Sequence, residues 1–358
     1  MNMTKQATQA PPAATVVVAG VDTHQRTHHL VVLDTTGRRL GDRGFAASAA
    51  GHRELLNWVS SFGLIEAIGV ESTGSYGAGL TLLLLAAGID VIEVSRPEKA
   101  VRATKGKSDP IDAESAARQV LAGTATGRPK IKTGIVEAIR ALKVTRDGAV
   151  RDRTRACCQL RDLVTTAPEE LRAELLALST QQRARKAAGY RPDPNRLADP
   201  VHATKKALRA LARRIHALDA EIAEADTDLQ ALVAQAVPTL LALPRVGPQS
   251  AAQLAITAGQ NIDRIRSEAA FAKLTGTAPI PASSGKSSRM RLNRGGDRQA
   301  NSALYMITIG RIQAHQPTIN YLARREHENL SRRDIIRCLK RYIARETYHA
   351  LRTDLLTT

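Results

Sequence analysis

Residues 15–21 form a continuous apolar run, which predicts a strand buried on both faces. Residues 29–33 and 39–45 follow as further strands joined at the turn-like pair Thr36-Gly37, so the chain opens on a meander. The period then changes. Apolar positions recur at helical spacing over 52–62, and 65–70 returns to a strand. A helix over 80–87, a last strand over 90–94 and helices over 99–104 and 110–121 complete this part.

From residue 126 onward almost every segment reads as helical. One long helix is predicted over 135–164, with Gly134 near its start and Pro168 beyond its end. Residues 192–200 break the region. Over 201–236, Leu208, Leu211, Ile215, Leu218, Ile222, Ala225, Leu229 and Leu232 are spaced 3-4-3-4-3-4-3, the repeat of a coiled coil. A helix of that length is a rod of roughly 54 Å. The seam suits a dimer between two chains, the favoured reading, and it also suits an antiparallel pair with 135–164 inside one chain. Residues 238–358 are again mostly helical, around a Gly/Ser/Arg-rich loop at 279–297.

The N-terminal order βββαβαβα resembles the ribonuclease H fold. Three antiparallel strands followed by βα units set it apart from a doubly wound nucleotide-binding sheet. The predicted fold class is therefore α/β plus α, with four segments. Residues 1–14 form a disordered tail, 15–125 a ribonuclease H-like domain, 126–237 a helical coiled-coil region, and 238–358 a mostly helical C-terminal domain.

Charge sharpens this division. The chain carries 52 Lys and Arg against 34 Asp and Glu, a net charge of +18. Residues 1–125 balance at 12 basic and 12 acidic side chains, so the excess lies wholly in the remainder, and 238–358 alone hold 19 basic against 8 acidic. A near-neutral domain followed by a polyanion-binding one points to nucleic acid. Arg outnumbers Lys 39 to 13, as suits phosphate forks. Aromatic residues make up only 3%, which favours backbone contacts over base stacking.

Other classes fall away. Three Cys, two of them adjacent (Cys157 and Cys158), build no disulfide framework and fit a reducing compartment. No apolar run approaches the roughly 20 residues that span a bilayer. The first 14 residues have no signal-peptide core, and no Cys/His spacing reads as a zinc site. A cytoplasmic protein, associated with the nucleoid when active, is expected.

Four carboxylates carry candidate chemistry. Asp22 ends the first predicted strand in Gly20-Val21-Asp22-Thr23-His24, and Glu71 ends the fourth in Val70-Glu71-Ser72-Thr73-Gly74. Asp109 and Asp112 lie in Ser108-Asp109-Pro110-Ile111-Asp112, where Pro110 suits a first helical position with Asp109 as cap. Two strand ends and one helix start can converge in this fold. Four hard oxygen donors suit Mg²⁺, and two ions about 4 Å apart can activate a nucleophile and hold a leaving oxygen in phosphoryl transfer. Singly, each carboxylate also reads as a cap or a solvated strand end. His24, His28 and His29 follow closely; Thr23 and His24 could position substrate, while a solvated strand end is the favoured reading of the His pair.

A second constellation lies in the basic region. Leu243-Pro244-Arg245-Val246-Gly247-Pro248 resembles a helix-hairpin-helix turn, in which backbone N–H groups at a helix N-terminus approach a phosphate. Arg245 stands where such turns usually have Gly. Further on, Ser283-Ser284-Gly285-Lys286-Ser287-Ser288-Arg289 precedes Arg291, Arg294 and Arg298. Chemistry alone leaves two readings of this loop, a flexible phosphate-binding backbone or a serine nucleophile stabilised by Lys286, Arg289 and Arg291.

Together these motifs resemble those of the insertion-sequence 110 family of transposases. Gly20-Val21-Asp22, Glu71-Ser72-Thr73-Gly74 and Lys107-Ser108-Asp109-Pro110-Ile111-Asp112-Ala113 look like its DEDD motifs, and 243–251 with 279–297 look like its second block. The resemblance covers about residues 15–350. It implies a RuvC-like domain, a coiled coil and a C-terminal transposase domain acting as a site-specific DNA recombinase. It implies metal ligands at Asp22, Glu71, Asp109 and Asp112, holding Mg²⁺, two ions per site, with Mn²⁺ as the alternative. A serine nucleophile is implied at Ser284, with Ser283 adjacent, forming a phosphoserine link to DNA. Arg245, Gly247, Lys286, Arg289, Arg291, Arg294 and Arg298 would bind nucleic acid. Donor and target DNA, an element-encoded bridge RNA, a dimer through the coiled coil and a tetramer in the synapse are the implied partners. The Arg-rich stretch 329–345 reads as a nucleic-acid-facing helix.

Two other functions compete. A metal nuclease of junction-resolvase type would use water as nucleophile and Ser284 only as a phosphate contact. An architectural nucleic-acid-binding protein would not need all four carboxylates.

Overall fold

The structure, a computed structural model, describes residues 15–94, 108–283 and 290–356. They fall into two compact units, the first ending at Lys132 and the second beginning at Thr133.

The first unit is built on a five-stranded sheet: β1 (Val16–Thr23), β2 (Thr27–Asp34), β3 (Arg39–Ala46), β4 (Leu64–Glu71) and β5 (Val91–Val94), with α1 (Ala49–Ser60), α2 (Ala78–Ala86) and α3 (Asp109–Leu121). The strand order is β3-β2-β1-β4-β5. β1 pairs antiparallel with β2 and parallel with β4, which is the ribonuclease H-like arrangement that the sequence predicts. The helix predicted over 99–104 lies outside the described residues.

The central strand β1 is buried on both faces, as its apolar run requires. Val17, Ala19 and Val21 point to one face and pack with Leu55 and Val59 of α1 and Leu80 and Leu84 of α2. The alternate residues face α3. On that face Val31 and Leu33 of β2 pack with Ala113 and Ala117. Gly20 pairs with Gly69 of β4, and the two glycines form a flat bed for α3. A β-carbon on Gly69 would meet Val120 Cγ2 at 2.7 Å and the Ala116 carbonyl oxygen at 3.0 Å.

The second unit contains α4 (Gly134–Thr165), α5 (Glu169–Leu176), α6 (Thr180–Ala188), α7 (Pro200–Ala236), α8 (Pro238–Leu241), α9 (Pro248–Ala258), α10 (Glu268–Leu274), the hairpin β6 (Pro279–Pro281) and β7 (Met290–Leu292), α11 (Arg298–Ala314), α12 (Gln316–His327) and α13 (Arg332–Leu356). Of the two partners that the heptad seam of α7 suits, another chain or a helix of the same chain, the structure shows the second: α4 packs along it inside the chain. Arg146 of α4 holds Asp226 of α7 at 2.8 Å, and one heptad further along α4 Arg153 holds Asp219, one heptad back along α7. That register is antiparallel. Leu208, Ala212 and Ile215 share a core with Ala156, Leu160 and Val164, while Leu229 and Val233 share one with Val136 and Ile139. The physical reason is that α4 carries an apolar stripe of matching length, and α5 and α6 return the chain to meet it.

The second core continues from α4 and α7 into Leu254 of α9, Phe271 of α10, Leu304 of α11 and Leu351 of α13. The helical region and the C-terminal region, expected as separate domains, therefore lie in one unit.

Candidate active site

The period of two along β1 positions the first site. Gly20 faces α3, so Asp22, two residues on, faces the same side. Val21 pairs with Val70 on the parallel neighbour, so Asp22 and Glu71 leave adjacent strands side by side. The Thr23 hydroxyl donates to the Glu71 carbonyl oxygen at 2.9 Å and ties the two strand ends together. Beyond Glu71, Ser72 adopts a left-handed φ of 56°, which turns the chain sharply off the sheet. Thr73 is buried and donates to Glu93 Oε1 at 2.9 Å.

The first turn of α3 supplies the other two carboxylates. The N-cap is Ser108, not Asp109 as the Pro110 spacing suggested, and Asp109 is the first helical residue. The carboxylate of Asp109 is thereby available to the site rather than spent on capping. Asp112 is buried one turn further in.

Electrostatics agree that the four groups share one place. The Asp22 carboxyl is raised above the ordinary carboxylate range, first by burial. His24 opposes this, and the charges of Glu71, Asp112 and Asp109 reinforce it. Asp22 is 6% exposed, and its carboxylate lies 3.7 Å from His24 Nδ1. A buried carboxylate crowded by three others is costly unless cationic charge joins it. The residues present therefore fit a divalent ion held by hard oxygen donors.

His24, noted in the sequence beside the carboxylates, joins this cluster. His24 Nδ1 lies 3.7 Å from Asp22 Oδ2 and 4.0 Å from Asp109 Oδ2. Ligand atoms of Asp22, His24 and Asp109 all lie within 4.8 Å of one another. The available signal was proximity in sequence, since His24 stands two residues after Asp22, just past the end of β1. The neighbouring histidines do not join. His28 pairs with Thr23 and so faces the opposite side of the sheet, where it is buried against His52 rather than solvated. His29 bonds Asp42 at 2.9 Å.

In the second unit, the turn between α8 and α9 has the helix-hairpin-helix form. Arg245 adopts a left-handed φ of 59°, the conformation for which such turns use Gly. Gly310 of α11 gives the Arg245 stem room, because a β-carbon there would lie 3.3 Å from Arg245 Cβ. Gly247 is the N-cap of α9 and has open space around it. The turn is braced from behind by buried Arg311, whose Nε donates to the Pro244 carbonyl at 2.9 Å and whose Nη1 pairs with Glu346 at 2.7 Å. Sequence reading missed Arg311, because a lone Arg on a helix carries no signal of burial.

Arg291, Arg294 and Arg298 are exposed around the β6–β7 hairpin. One cavity of about 620 Å³ is lined by Met290, Arg291, Leu292, Arg337, Arg341 and Tyr342. Another of about 350 Å³ is lined by Asn293, Arg294, Gly296, Arg298 and Asn301. Within 329–345, Arg337 pairs with Asp334, while Arg341 and Arg345 pair with Glu268. Ser283 is exposed. Ser284, Lys286 and Arg289 lie outside the described residues.

Residues 19–167 match a family model described as a transposase, of the DEDD type, and residues 237–323 match the transposase IS116/IS110/IS902 family. No curated protein matches the chain. Both matches are to transposases, so the sheet with its acidic cluster and the basic helical region define a DNA-cleaving and recombining enzyme. The chain belongs to the IS110 family of transposases. It acts on DNA in transposition, and its DEDD type implies the use of divalent metal. Among the described residues no helix is long and apolar enough to cross a membrane.

Proposed function

We propose that this transposase excises and integrates its element by conservative strand exchange through a phosphoserine intermediate. Asp22, Glu71, Asp109 and Asp112 hold Mg²⁺, two ions per site, with Mn²⁺ as substitute. The bound metal supplies charge neutralisation at the scissile phosphate and at the leaving oxygen. The observation that supports the metal centre is the buried Asp22 carboxylate among acidic neighbours, with ligand atoms of Asp22, His24 and Asp109 within 4.8 Å of one another.

The chain's own residues do the rest. Ser284 attacks phosphorus, its proton leaves to solvent or a phosphate oxygen, and the bond to one deoxyribose oxygen breaks. One P–O bond forms for each that breaks, so resealing needs no high-energy cofactor. Arg245 and the N–H groups after Gly247 hold backbone phosphate, and Lys286, Arg289, Arg291, Arg294 and Arg298 supply further cationic charge to it. Sequence choice falls to an element-encoded bridge RNA that pairs with donor and target DNA, following the logic by which guide pairing relieves a protein of base readout. Exchange of two duplexes needs more than one protomer.

The test is a denaturing gel of protein, Mg²⁺, RNA transcribed from the element's flanks and labelled junction DNA. A covalent protein–DNA band in wild type that is absent in Ser284→Ala supports the reading. Free ends released equally by both proteins, with no adduct, would replace it with a water-using nuclease of resolvase type.

A further inference from the structure

We infer that His24 is itself a metal ligand, giving the carboxylate centre one nitrogen donor through Nδ1. This rests on the metal-binding reading above and goes beyond it, since the four-carboxylate set contains only oxygen.

The geometry is specific. His24 Nδ1 stands 3.7 Å from Asp22 Oδ2 and 4.0 Å from Asp109 Oδ2. Both distances exceed hydrogen-bond range, so the ring is not bonded to either carboxylate. They lie between the spacings of neighbouring and of opposite donors around one ion. Around an ion with bonds of about 2.1 Å, neighbouring donors lie roughly 3.0 Å apart and opposite donors roughly 4.2 Å. The three atoms, all within 4.8 Å of one another, can thus surround one ion with little movement.

The backbone explains why the ring sits there. Asp22 is the penultimate residue of β1 and His24 is the first residue beyond it, within 4.0 Å of Asp109, which begins α3. Asp22 is buried at the back of the cluster, while the His24 side chain is 44% exposed at its mouth. An ion held between them would be reached from the side of His24 and Asp109, as a catalytic rather than a structural site requires. Imidazole is also neutral as a ligand, so His24 adds a donor without adding to the crowd of negative charge.

The donor has a consequence for metal choice. Imidazole suits first-row transition ions, whereas Mg²⁺ favours oxygen and water. The centre accordingly favours Mn²⁺ over Mg²⁺ more strongly than an all-carboxylate centre does, and His24 is the source of that preference.

The experiment uses full-length protein loaded with Mn²⁺ and pulsed electron paramagnetic resonance, which detects directly bound ¹⁴N, alongside titration calorimetry. Wild type is expected to show nitrogen coupling. His24→Ala is expected to lose it, to bind Mn²⁺ about tenfold more weakly, and to change Mg²⁺ affinity by less than about threefold. His24→Gln, which keeps size and polarity, should behave as His24→Ala, and melting curves check that each variant is folded. If Mn²⁺ binds in an Asp22-dependent way but nitrogen coupling is absent, or survives in His24→Ala, the inference is overturned and the carboxylate centre stands. If Mn²⁺ binding is indifferent to Asp22→Asn, the carboxylate centre fails and His24 falls with it.

Discussion

Gly20 and Ala113 are in backbone contact: a β-carbon on Gly20 would lie 2.2 Å from the Ala113 carbonyl oxygen and as close to the Ala117 nitrogen. Helix α3 can rest on β1 only because that position is glycine, and this contact brings Asp109 and Asp112 to Asp22. Gly20→Ala should lift α3 off the sheet, lowering stability by about 2 kcal/mol or more and weakening divalent-ion affinity about tenfold. Urea unfolding and calorimetric metal titration check the two effects. Unchanged metal affinity in a folded variant would separate the helix contact from the site.

Asp22 makes a prediction of opposite signs. Its folded-state carboxyl is raised, by burial first and then by its acidic neighbours against the opposing His24. A raised acid favours folding below its unfolded value and loses that contribution as pH rises through the folded value. In metal-free protein at neutral pH, Asp22→Asn should therefore raise the melting temperature. Saturating divalent ion should stabilise wild type, by about 2.7 kcal/mol at a hundred times Kd, and should leave the variant unmoved.

His28 and His52 form a second titrating pair, on the far face of the sheet. Their rings stack with Nε2 atoms 3.1 Å apart, and His28 Nδ1 has no hydrogen-bond partner among the described residues. Burial, then the charge of His52, pushes His28 down to about 4. Between that value and the unfolded value of about 6.5, the unfolded chain binds the extra proton. Stability should fall as pH drops through this window, by about 3 kcal/mol in all for this group. Wild type minus His28→Gln, followed by chemical unfolding at pH 7 and pH 4.5, isolates the slope. An equal slope in both proteins would contradict it.

Arg311 is 3% exposed and depends on Glu346 for its counter-charge. Glu346→Ala leaves the guanidinium buried and uncompensated, and should cost about 2–3 kcal/mol of stability. The Pro244 carbonyl that Arg311 holds belongs to the hairpin turn, so DNA affinity should drop as well. Urea unfolding and a binding titration at fixed salt measure both.

Exposed Arg294 should act as a plain phosphate contact. Arg294→Ala should weaken DNA binding to all sequences alike and reduce the slope of log K against log salt by about 0.9. A change confined to one sequence would mark base readout instead.

Much of this architecture is written in the order of apolar and polar residues. The continuous run before Asp22 fixes a buried central strand, and strand ends in this fold gather Asp22 and Glu71. What is hidden depends on partners. The seam at Leu208, Ile215 and Leu229 reads identically whether its partner is another chain or α4, and only the Arg146–Asp226 and Arg153–Asp219 register distinguishes them. Asp109 resembles a cap until Ser108 is seen in that position. Arg245 looked like a departure from the hairpin turn, yet the residue takes the left-handed backbone that the turn requires. His28 and His24 lie four residues apart, and the bend between β1 and β2 sends one into the core and the other to the acidic cluster.

The central claim is that the carboxylate cluster at the ends of β1 and β4 and the start of α3 is the DNA-cutting centre. The most direct test is strand cleavage of labelled element-end DNA by wild type and Asp22→Asn, each in Mg²⁺ and in EDTA. The account predicts cleavage by wild type in Mg²⁺ alone, with the variant reduced on the order of 10²–10³-fold. Cleavage by wild type in EDTA, or by Asp22→Asn at the wild-type rate, would contradict it.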